Sequence, residues 1–286
     1  MKRSLTIISL FAYAIFSAAC VGSSPETSSN TANAARVTIN GSTTVVPIGQ
    51  KAVELFTQKH PEVKISISGT GSGDGIKALL DSTTDIAMSS REMEESEKQQ
   101  AKAKSINVKE QVIAWDGIVP IVNPDNPVTN LTLAQLKDIY TGKVTDWKDV
   151  GGKPGTIVVV SRDSSSGTYK AWGEMVLGKE ARVMPAAQLQ AFSGSVVETV
   201  ARTPQAIGYV GIGYTNTPSI KSVSVEGVKA SADTVLNKTY KIGRPLYMFT
   251  NGEPKGMAAE YLKFILSPEG QKMVKDEGFV PLPTKS

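Results

Sequence analysis

Apolar residues along the chain recur in two alternating rhythms. Val37 and Ile39 mark a short strand-like run, and residues 46–59 then place Ile48, Ala52, Leu55 and Phe56 on one helical face. Residues 63–68 alternate through Val63, Ile65 and Ile67, after which Ile76, Leu79 and Leu80 mark a second helix. Residues 85–88 read as a third strand, and the charged run REMEESEKQQAKAK as a solvated helix. The stretch QVIAWDGIVPIV at 111–122 predicts a strand, broken by Asn123-Pro124-Asp125-Asn126-Pro127, and Leu133, Leu136 and Ile139 predict a helix over 131–140. Further strands are expected at 157–160, 206–210 and 244–249. Helices are expected at 169–177 (Trp172, Met175, Val176), 195–201 and 256–266, whereas 221–240 follows no clear period. Strands alternating with helices in this way predict an α/β fold.

The loops between these elements carry the candidate chemistry. Gly41-Ser42-Thr43-Thr44, Gly69-Thr70-Gly71-Ser72-Gly73-Asp74-Gly75, Ser89-Ser90-Arg91 and Arg162-Asp163-Ser164-Ser165-Ser166-Gly167-Thr168 each follow a strand and lead into a helix. Ligands of open α/β sheets collect at the carboxyl ends of the strands, so four such loops suggest one shared site. Helix N-termini offer unpartnered N–H groups, the hydroxyls add donors, and Arg162 offers a planar fork suited to two oxygens of a tetrahedral anion. Taken alone, the loop at 162–168 fits a capped strand-to-helix turn with a surface arginine equally well.

A length of 286 residues allows two domains, and 40% hydrophobic with 20% charged residues is ordinary for a globular protein. The net charge of +4 falls to +2 without Lys2 and Arg3. That balance speaks against a nucleic-acid surface, which needs clustered basic residues. Lys2 and Arg3, the apolar residues 5–16 and Ser17-Ala18-Ala19 form the three parts of an export signal over 1–19. The only cysteine, Cys20, follows at once. The arrangement resembles a bacterial lipoprotein signal, with Ser17 where a leucine is usual, which implies lipid attachment at Cys20; an ordinary signal peptide is the alternative. Residues 20–35 are small and polar and read as a flexible tether.

Enzymatic readings of the loops fail on their spacing. Gly75 is followed by Ile76, Lys77 and Ala78, which is not a Walker loop, and neither G-x-G-x-x-G nor G-x-S-x-G occurs. The single histidine, His60, precedes Pro61 at a helix end, where it reads as a surface residue, so no base serves a serine or cysteine nucleophile. No His/Cys cluster suggests a metal. Trp115, Trp147 and Trp172 lie in or beside apolar stretches and are expected in the core.

Eight segments, in order, resemble the phosphate-binding proteins of bacterial high-affinity phosphate ABC transporters. They are GSTTVVP (41–47), GTGSGDGIK (69–77), DIAMSSR (85–91), DGIVPIVNPDNP (116–127), LKDIYTGKVTDW (136–147), SRDSSSGT (161–168), AIGYVG (206–211) and RPLYMFTNGEP (244–254). The resemblance implies a type II periplasmic-binding-protein fold: two α/β lobes joined by two crossing strands, with the ligand in the cleft. Lobe I would be 36–122 plus 243–286, and lobe II 123–242. Ligand contacts would fall on Ser42, Thr43, Thr44, Ser72, Ser90, Arg91, Arg162, Ser166, Gly167 and Thr168. Some members carry an aspartate where this chain has Ser90, to accept the proton of phosphate, so either Asp74 or Asp163 would take that role or selectivity for phosphate would be weaker. The implied role is extracytoplasmic phosphate capture by a lipid-anchored monomer. It would deliver phosphate to a permease with its cytoplasmic ATPase, without cofactor or catalysis. Alternatives are another tetrahedral oxyanion (sulfate, molybdate, tungstate or arsenate), a phosphate-ester hydrolase or phosphotransferase, and a surface sensor or adhesin.

Overall fold

A computed structural model describes residues 35–178 and 180–283. The expected export signal, Cys20 and all of the tether except Ala35 lie outside the described residues. The elements are β1 (Arg36–Gly41), α1 (Val46–Lys59), β2 (Lys64–Gly69), α2 (Ser72–Leu80), β3 (Ile86–Ser89), α3 (Glu95–Ala103), β4 (Val108–Val122), β5 (Asn130–Leu131) and α4 (Leu133–Tyr140). They continue with β6 (Val158–Arg162), α5 (Gly167–Trp172), β7 (Gln188–Gln190), α6 (Ser193–Arg202), β8 (Ala206–Gly211), β9 (Lys221–Ser222), β10 (Ser224–Val225), α7 (Ala232–Leu236), β11 (Gly243–Asn251), α8 (Gly256–Leu266) and α9 (Pro268–Asp276).

The sheet runs β2-β1-β3-β11-β4-β8-β6-β7, with β9 also on β4. Its two halves share β4. Residues 108–117 of β4 pair antiparallel with β11, and residues 118–122 pair with β8. In the first half β1, β2 and β3 are parallel and β11 is the antiparallel member. In the second, β6 lies parallel to both β7 and β8, and β4 is antiparallel. Each half thus repeats one plan, and β4 and β11 are the strands that connect them.

Apolar clusters cover both faces of each half. Ile39, Ile48, Phe56, Leu246 and Tyr261 pack on one face of the first half, and Ile76, Leu79, Ala87 and Phe249 on the other. The second half buries Leu136, Tyr140, Trp147, Trp172 and Ile207 on one face and Val119, Val160, Val196 and Val210 on the other. Trp147 and Trp172 are therefore core residues, as their context suggested, while Trp115 is only partly buried.

Two helices follow the predicted bounds over 46–59 and 256–266. The helix expected over 169–177 begins earlier, at Gly167, and its last five residues wind as a π-helix. That wider turn advances the phase of the side chains, so Val176 and Leu177 are buried while Met175 is 37% exposed. The unperiodic stretch 221–240 resolves into β9, β10 and α7. His60 caps the C-terminus of α1 and stacks on Phe56 at 4.4 Å, away from the loops described below.

Candidate functional site

Loops at the carboxyl ends of β1, β2, β3 and β6 meet at the junction of the two halves. Ser42, Thr43, Thr44, Ser72, Ser90, Arg162, Ser166 and Thr168 are all buried there. Helices α1, α2 and α6 begin beside these loops without a side-chain cap, so their positive ends face the junction, although the Gly73 N–H of α2 is taken by the Ser165 carbonyl and Pro47 of α1 has no N–H. Gly167 permits a close approach. A Cβ built there would lie 2.3 Å from Ser72 Oγ and 2.7 Å from Ser90 Oγ, so the second half's chain passes directly over hydroxyls of the first.

Arg162 is 1% exposed and spreads its donors over both halves. Nε donates to the Gln190 carbonyl (2.9 Å) and Nη2 to that of Ala191 (2.8 Å), which fixes the guanidinium on the segment after β7. Nη2 also donates to Thr43 Oγ1 (3.0 Å) and Nη1 to Ser193 Oγ (3.1 Å). Among the described residues no carboxylate forms a salt bridge with it, and burial pushes its pKa down from the ordinary arginine value. Asp163 acts on it through its charge without pairing with it, and a buried cation with no ion-pair partner suits a bound anion.

Arg244 presents the opposite case. Its Nε and Nη2 lie 3.0 and 2.9 Å from Asp116 Oδ2, a fully buried pair in register on β11 and β4. Burial pushes the Asp116 carboxyl up and the Arg244 guanidinium down, and each partner's charge opposes the shift in the other. Arg244 also donates to the Ser90 carbonyl (2.9 Å) and to Thr168 Oγ1 (2.9 Å), while Asp116 Oδ1 accepts from the Ile212 N–H (2.9 Å). The pair therefore ties the connecting strands to loops of both halves.

Several hydroxyls are preset as donors. Thr43 Oγ1 accepts from Arg162, Thr168 Oγ1 from Arg244, Ser72 Oγ from the Ser90 N–H (3.1 Å) and Ser166 Oγ from the Tyr169 N–H (3.2 Å). Each oxygen already receives an N–H and keeps one hydrogen to give, to an anion or to a neighbouring hydroxyl: Thr43 Oγ1 lies 3.1 Å from Ser193 Oγ and Ser72 Oγ 3.3 Å from Ser90 Oγ. Thr44 Oγ1 lies 2.8 Å from Thr168 Oγ1. Tyr214 donates to the Thr43 carbonyl at 2.5 Å, and burial pushes its pKa up to about 12, so it keeps that hydrogen at neutral pH.

Three residues singled out in the sequence stand apart. Arg91 is turned away into a two-pronged ion pair with Glu97 (2.7 Å on each prong), which also forms the capping box of α3. Asp74 lies in the first turn of α2 and is exposed, so it complements that helix's N-terminus and does not face the cluster. Asp163 accepts within its own turn. Arg244, Ser193 and Tyr214 were not picked out as site residues by sequence, and Asp116 stood out only as a carboxylate able to cap a loop or accept from a ligand, not as the partner of Arg244. A recess of about 580 Å³ opens beside the cluster, lined by Ser90, Arg91, Glu94, Lys170, Arg244 and Tyr247.

A family model described as a PBP superfamily domain matches residues 26–269. The chain is 32% identical over 292 residues to the phosphate-binding protein PstS of Bacillus subtilis, covering 98% of this chain and 95% of that one. A crystal structure from Clostridium perfringens, described as a phosphate ABC transporter substrate-binding protein with bound phosphate, is 40% identical with a TM-score of 0.81. It covers 87% of this chain and 100% of its own. An ABC-type phosphate transport receptor from Vibrio cholerae is 33% identical with a TM-score of 0.70, covering 86% and 100%.

Proposed function

Because the chain belongs to the phosphate-binding-protein family within the PBP superfamily, we propose that it captures inorganic phosphate outside the cytoplasm and delivers it to an ABC permease. The observation that carries this reading is Arg162: buried, in no salt bridge, and bonded to the Thr43 and Ser193 hydroxyls beside a cluster of further hydroxyl donors. A tetrahedral oxyanion supplies the missing negative charge and accepts those hydrogens. Thr43, Ser72, Ser166 and Thr168 donate through hydroxyls, Thr44 and Gly167 through backbone N–H groups, and Ser42 and Ser90 complete the wall. Arg91 shapes the loop after β3 through Glu97. No bond is made or broken, so the protein is a binding component and not an enzyme.

The lobes in this reading are 36–122 with 243–286, and 123–242, hinged on β4 and β11. Phosphate contacts residues of both lobes only when they meet, so binding shifts the population toward the closed form that a permease can recognise. Residues 1–19 direct export, and Cys20 carries the lipid that holds the monomer at a membrane. Calorimetric titration with phosphate, sulfate, molybdate and arsenate tests the reading. Phosphate binding with a stoichiometry of one supports it, and heat with none of the four overturns it.

A further inference from the structure

Asp163 is placed among the site loops yet makes its contacts within its own turn. Its Oδ1 accepts from the Ser165 N–H (2.9 Å), from Ser165 Oγ (2.7 Å) and from the Ser166 N–H (3.2 Å). One carboxylate oxygen thus gathers the chain from 163 to 166 into a tight turn and fixes where Ser165 stands.

Ser165, so placed, meets the other half of the molecule. The Gly73 N–H donates to the Ser165 carbonyl (2.9 Å), and Ser165 Oγ lies 3.1 Å from the Thr70 carbonyl. Gly71, between them, has φ +118°, and a Cβ there would sit 2.3 Å from Ser165 Oγ and 2.8 Å from the Ser165 carbonyl oxygen. The loop after β2 is therefore shaped to receive this one residue. Beyond it, Lys170 reaches Glu94 at 3.1 Å, a second bridge between the halves. None of these contacts passes through Arg162 or the hydroxyls of the cluster.

We propose that Asp163 and Ser165 form a latch: Asp163 is a positioning residue that presents Ser165 to the 70–73 loop, and the latch stabilises the closed form without touching the anion. The proposal rests on the phosphate reading above. It assigns Asp163 a role different from accepting a proton from the ligand, and the two roles leave different signatures. A latch formed after the anion has entered slows its escape and serves every anion alike. A proton acceptor discriminates between monoprotonated phosphate and fully ionised sulfate.

The test is stopped-flow and calorimetric binding of phosphate and sulfate to the full chain and to its Asp163→Ala, Ser165→Ala and doubly substituted forms. Loss of one or two hydrogen bonds is expected to weaken phosphate binding about three- to thirtyfold, through faster dissociation with association nearly unchanged. The double variant should be no weaker than Asp163→Ala, because both changes remove one device. Sulfate binding should fall by the same factor or stay undetected. If Asp163→Ala fails to fold, Ser165→Ala tests the Oγ contacts alone: a smaller loss, again through faster dissociation, is expected because the Ser165 carbonyl still accepts from the Gly73 N–H. Unchanged affinity, a slower association step, or a gain of sulfate relative to phosphate would overturn the latch. Should the unaltered chain bind no phosphate, the functional reading fails instead.

Discussion

Arg162 and Arg244 are both almost fully buried, and their partners assign them different work. Arg244 has a carboxylate, Asp116, and its loss leaves that charge buried and unpaired. Arg244→Met should destabilise the fold by about 3–5 kcal/mol in urea denaturation, and a loss below 1 kcal/mol would show that the pair is not structurally critical. Arg91 is likewise committed to Glu97, so Arg91→Ala should change phosphate affinity by no more than about threefold. A hundredfold loss would return it to the ligand's contact set. Sequence made Arg162 visible because it stands at the end of an apolar strand and opens a hydroxyl-rich loop. The pairing of Asp116 with Arg244 stayed invisible because the two lie 128 residues apart and meet only through the register of β4 on β11. The exposure of Asp74 has the same origin: a loop's composition does not say which way a side chain faces once the helix begins.

At the scale of elements, the site depends on where helices start. Gly71 ends the loop before α2 in a conformation that suits glycine, and its neighbour across the junction is Ser165. Gly71→Ala should cost about 1–3 kcal/mol of stability and also weaken phosphate binding, measured by thermal unfolding and titration. Unaltered affinity would mean that the two loops need not meet. Farther along α2, Asp81 binds Lys104 at 2.5 Å and Lys77, and these partners hold its pKa down at about 2. A carboxylate depressed in the folded state adds stability above its ordinary range and loses it as pH falls through about 2. Asp81→Asn should therefore be less stable than the parent at pH 7 and equal to it near pH 2; a gap that persists at pH 2 would contradict this. Long elements with strong periods were legible from the sequence, as α1 and α8 show. β7 was not, since Gln188, Leu189 and Gln190 are too short a run to set a period, and they form a strand only against β6. α9 buries just Gly270, Met273 and Val274, too few apolar positions to set a period, although Ser267 and Pro268 mark its start.

For the whole molecule, the repeated plan of the two halves and the strands joining them place a buried cation where the halves meet. The energetic consequence is reciprocal. An anion that gains contacts from both halves stabilises their closed arrangement, and anything that stabilises that arrangement tightens the anion. Saturating phosphate should accordingly lower the radius of gyration measured by small-angle scattering, or leave it unchanged if the free protein is already closed. An expansion would contradict closure around the ligand. The central claim is that Arg162 supplies the charge that holds the oxyanion. Its most direct test is a phosphate titration of Arg162→Ala beside the unaltered chain, with thermal unfolding to show that both are folded. One site in the unaltered chain and a loss on the order of a hundredfold or more in the variant are expected. Equal affinities, or no binding by the unaltered chain, would contradict the account.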